Sequence, residues 1–99
     1  MSDTLREITK WLRTKAEEVS KQAASRQISE DLRNATVAEL KQSRALAEKM
    51  AGHKMPYASV SVKAHRAYCD MQDRIRAKLE VEAKQLSEWA EFLENLSKE

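Results

Sequence analysis

The chain has 99 residues, of which 41 % are hydrophobic and only five aromatic. Chains this short bury only about 60–65 % of their unfolded surface, so a thick private core is excluded. Eighteen Lys and Arg stand against 16 Asp and Glu, a net charge of +2 that is too balanced to indicate nucleic acid by itself. The single cysteine, Cys69, excludes an internal disulfide and suits a reducing compartment.

Thr4, Leu5, Arg6 and Glu7 match a capping box, in which the Thr hydroxyl and the Glu carboxylate satisfy each other's backbone N–H groups. A first helix is predicted to start there. Leu5, Ile8, Leu12, Ala16, Val19 and Ala23 recur at steps of three and four, which draws one apolar stripe with Trp11 at its edge. Lys10, Arg13, Lys15 and Lys21 around that stripe outline an interfacial helix, but Glu7, Glu17 and Glu18 dilute the positive face. Packing against the chain itself is the expectation, and membrane contact is not.

Ile28, Leu32 and Ala35 continue the phase, whereas Val37, Leu40, Ala47 and Met50 are offset from it. Thr36 and Glu39 form a second capping box, and Ser29 and Asn34 favour local side-chain to backbone bonds. The helical segment 4–51 is therefore expected to break or kink within 25–36. The only glycine, Gly52, and the only proline, Pro56, then mark a hinge at 52–59. Ser59 or Ser61 is available to cap the next helix.

Tyr68, Met71, Ile75, Leu79, Ala83, Leu86, Ala90, Leu93 and Leu96 predict one long helix over 60–98. From Leu79 the spacing approaches the 3.5-residue repeat of a coiled coil, with Trp89 and Phe92 flanking it. The expected fold is a single all-α domain, a helical hairpin of two or three helices with coiled-coil-like packing. Its thin core points to a homodimer, with Leu79, Leu86, Leu93 and Leu96 as the self-association seam.

Little chemistry is written in the chain. His65, Cys69 and Asp73 share one helical face, but a structural zinc site wants four convergent ligands and His53 is the only other histidine. No phosphate loop, nucleophile elbow or H-E-x-x-H occurs. No enzyme activity, cofactor or metal is expected. No apolar leader opens the sequence, and no run approaches the roughly 18 apolar residues of a membrane span, so a cytoplasmic location is expected.

Charge reverses sign within the long helix. Residues 53–78 carry Lys54, Lys63, Arg66, Arg74, Arg76 and Lys78 against Asp70 and Asp73, whereas 79–99 carries six glutamates against Lys84 and Lys98. Such a rod pairs better antiparallel than parallel. The leading expectation is a protein-binding module, an adaptor, inhibitor or regulator presenting helical faces, in the manner of a phage-type effector of a host enzyme. The alternative is nucleic-acid binding through 53–78, with Lys63, Arg66, Arg74, Arg76 and Lys78 on the phosphates.

Overall fold

The computed structural model of the protein describes residues 2–54 and 60–98. Among them are three helices and no strand: α1 (Asp3–Ser25), α2 (Glu30–Ala51) and α3 (Val60–Lys98). The all-α fold and the long C-terminal helix follow the periodicity directly. The hinge expected at 52–59 falls partly on 55–59, Pro56 included, which lies outside the described residues.

Both expected capping boxes are displaced. Ser2, not Thr4, caps α1, with Oγ accepting from the Leu5 N–H at 3.2 Å. Ser29 caps α2 and accepts from the Leu32 N–H at 3.1 Å. Glu30 and Asp31 follow it in the first turn, where carboxylates offset the positive end of the helix dipole. Thr36 is interior to α2, and its hydroxyl donates back to the Leu32 carbonyl at 2.9 Å. The break thus occupies 26–29, where Arg26 and Gln27 complete the turn of α1 through the Ala23 and Ala24 carbonyls. Gly52 ends α2 in the left-handed region, at φ 75°, with its N–H on the Glu48 carbonyl at 2.9 Å. Ser61 is already inside α3 and does not cap it.

The helices pack as two units. The first joins residues 1–27 to 74–99, and the second comprises 28–73. In the first unit Leu12, Ala16 and Val19 of α1 meet Ala83, Leu86 and Ala90 of α3, with Leu79 and Leu93 packed against them. These positions follow the three- and four-residue spacing, but the predicted stripe is corrected at the start of α1, where Leu5 and Ile8 are exposed and Thr9 is the buried residue. Half of the six buried positions are alanine, so little apolar volume is enclosed and the stabilisation rests on close helix approach. Thr9 is the one buried polar side chain of the core, and its hydroxyl donates to the Leu5 carbonyl at 2.8 Å.

In the second unit α2 lies on the first part of α3 with less enclosure. Val37, Leu40 and Ala47 are half-buried, and Cys69 is the buried residue on the α3 side. Here the predicted stripe is corrected: Tyr68 and Met71 are about half exposed, and the inward face runs through Val62, His65, Cys69 and Gln72. One residue of phase separates the two, about 100° around the helix. Arg33 fixes the unit at its other end. Its guanidinium donates to both Asp73 carboxylate oxygens at 2.9 and 2.6 Å, and its Nε donates to the Ile28 carbonyl at 3.0 Å.

Candidate functional site

Two surfaces carry the distinctive chemistry, one on each unit. On the first unit the two flanks of the α1–α3 seam differ sharply. Arg13, Glu17, Ser20 and Lys21 of α1 share one groove with Glu80, Lys84 and Ser87 of α3. Arg13 closes it with two hydrogen bonds to the Glu94 carboxylate at 3.1 and 2.9 Å. Those residues define the polar flank.

At 100° per residue, Ile8 and Trp11 of α1 and Trp89, Phe92 and Leu96 of α3 fall on the opposite flank. They are conspicuously exposed: Trp11 retains 59 % of its surface, Trp89 51 %, Phe92 62 % and Leu96 50 %. A shallow groove along α3 connects Val81, Gln85, Leu86 and Trp89 on this side, with Lys78 and Glu82 also on its wall. The leucines of the expected self-association seam are therefore placed differently from one another. Leu86 is buried, Leu79 and Leu93 are half-buried against α1 of the same chain, and only Leu96 stays open. The heptad-like spacing is spent on the internal partner, and the aromatic residues beside it are what remains accessible.

The Arg13 hydrogen bonds hold the Glu94 carboxyl below the usual carboxylate range, with desolvation opposing and the Arg13 charge assisting. The same contact raises the Arg13 guanidinium. A carboxyl depressed by folding adds stability above its unfolded pKa, about 4.3, and that contribution is lost as pH falls through the folded value. Both partners are substantially solvent-exposed, so screening keeps the effect small. Glu94→Gln should therefore flatten a shallow acid limb below about pH 4 and leave the melting temperature at pH 7 only slightly reduced, as thermal melts across pH will show. An unchanged acid limb would mean that the pair does not hold in solution.

On the second unit the candidate phosphate contacts are joined by residues from another helix. Lys63 and Arg66 of α3 and Lys41 and Arg44 of α2 line one open groove of about 200 Å³ floored by Val62. A neighbouring groove shares Lys41 and Arg66 and extends past Asn34, Val37, His65, Cys69 and Asp70 toward Arg33. Arg44 also contacts Glu48 at 3.5 Å. Arg74, Arg76 and Lys78 belong to the first unit, where Arg76 lies 3.8 Å from Glu80. Lys41 and Arg44 lie outside the basic stretch that sequence singles out, and no linear spacing connects them to it.

The His65, Cys69 and Asp73 face does not converge. Cys69 Sγ lies 3.6 Å from His65 Nε2, but both Asp73 oxygens are taken by Arg33. Among the described residues no group of three or more His, Cys, Asp or Glu side chains is placed to hold a metal ion. No helix among them is long and apolar enough to cross a membrane. No family model, curated protein or solved structure matches the chain.

Proposed function

We propose that the protein is a non-enzymatic protein-binding module, an adaptor, inhibitor or regulator, that assembles with a second copy through the exposed aromatic flank of its first unit. The observation that carries this reading is the exposure of Ile8, Trp11, Trp89, Phe92 and Leu96, large apolar side chains interspersed with the Lys15–Glu18 ion pair and with Lys78 and Glu82. At their observed exposures the three aromatic residues alone leave on the order of 400 Å² uncovered. That is comparable to the largest apolar patch of an ordinary monomer, about 300–600 Å², which is often functional, and about half of the roughly 800 Å² per partner of a stable interface.

The occupant is a second copy, which turns a two-helix layer into a four-helix arrangement with an enclosed centre. Near-neutral charge removes the long-range repulsion that would oppose like chains meeting. Sedimentation equilibrium of the full chain tests this. The wild type should dimerise in the micromolar range, and Trp89→Lys with Phe92→Glu should weaken that association by roughly 100-fold or more, as loss of two central aromatic anchors implies. Retained helicity in the variant shows that the surface, and not the fold, was altered. A wild type that stays monomeric at 100-fold higher concentration defeats the self-association reading.

A further inference from the structure

We propose that the groove between α2 and α3 of the second unit binds the phosphodiester backbone of a nucleic acid, with Lys41, Arg44, Lys63 and Arg66 as the contacting residues. The inference stands on the second unit alone and does not depend on the apolar flank of the first. Two cations come from each wall, three residues apart on each helix, so each pair rises about 4.5 Å. All four side chains are exposed residues on one open groove. An open trough suits a polymer lying along it better than a small anion that needs enclosure.

Charge density decides the class of polymer. Four cations within so short a rise need several negative charges in the same span. A nucleic-acid strand supplies one every 3.4 Å or so and a duplex one every 1.7 Å or so. An extended acidic peptide advances about 3.3–3.6 Å per residue and points alternate side chains away, so it delivers about half as many to one groove. Arg66 adds a planar fork that can engage two phosphate oxygens, and Arg44 adds a second one that shares its Nε with Glu48 at 3.5 Å. The adjoining groove shares Lys41 and Arg66 but carries the Asp70 carboxylate, and its Arg33 is held by Asp73, so the phosphate track is confined to the four cations.

The test is fluorescence anisotropy of the full-length protein with a labelled 20-nucleotide single strand and a 20-base-pair duplex, titrated from 50 to 200 mM salt. Four phosphate contacts imply an affinity loss of roughly 50-fold for the single strand and 150-fold for the duplex over that range. Lys63→Gln with Arg66→Gln should halve the logarithmic salt slope, and Lys41→Glu with Arg44→Glu should remove binding. Arg74→Glu with Arg76→Glu, in the other unit, should leave it in place. If the α2 variant loses helicity, the neutral α3 pair decides through its slope. The proposal is overturned by no binding of either probe at 50 mM salt, by an unchanged slope in the α3 variant, by equal loss in the Arg74 and Arg76 variant, or by polyglutamate competing as well as DNA.

Discussion

Leu86→Ala should cost about 2–5 kcal/mol. Leu86 is 8 % exposed and sits among Leu12, Ala16, Val19, Ala83 and Ala90. Its removal forfeits the transfer energy of its methyl groups and leaves a cavity. The neighbours that would have to fill that cavity are largely alanines, which have no side-chain freedom with which to relax. Small domains hold only about 5–15 kcal/mol in total, so the loss is a large fraction of the stability available. Urea denaturation at a fixed protein concentration measures it, because self-association would otherwise shift the apparent midpoint. A loss under about 1 kcal/mol would mean that α1 does not cover this position in solution.

Ala90→Leu should destabilise by about 1–3 kcal/mol for the opposite reason. Ala90 is fully buried at 0 % exposure, and with Ala16, Ala23 and Ala83 it lets α1 and α3 approach closely. Three added carbons have nowhere to go without spreading the helices. The diagnostic experiment adds Leu12→Ala in the same chain. If overpacking is the cause, the second change should recover part of the loss, giving a coupling of about 0.5–3 kcal/mol. Strict additivity would place the two side chains in separate environments.

The parts of the structure legible in the sequence are those set by one helix alone. Leu12, Ala16, Val19 and Ala23 announced a buried face by spacing, and all four are buried. Ala83, Leu86 and Ala90 did the same on α3. What spacing does not encode is which neighbour fills each face. Tyr68 and Met71 continued the α3 stripe on paper, yet in the second unit the inward position is Cys69. The caps failed similarly: Thr4 and Thr36 had the better motif, but Ser2 and Ser29 have the extended backbone that a cap requires. Lys41 and Arg44 were invisible as partners of Lys63 and Arg66 because nothing but helix packing juxtaposes them.

The two units also differ in how far along the chain their contacts reach, and this sets an order of assembly. Arg33 finds Asp73 across 40 residues, whereas Arg13 finds Glu94 across 81. Loop closure over the doubled distance costs only about 0.6 kcal/mol more, but the longer search slows it, so α2 and the start of α3 are expected to zip before α1 docks. On a ribosome adding about 5–20 residues per second, α1 emerges with its apolar stripe bare and waits roughly 4–16 s for the segment that covers it. For that interval α1 lacks the α3 face that covers it, and a cell expressing the protein must either shield it or tolerate its wandering.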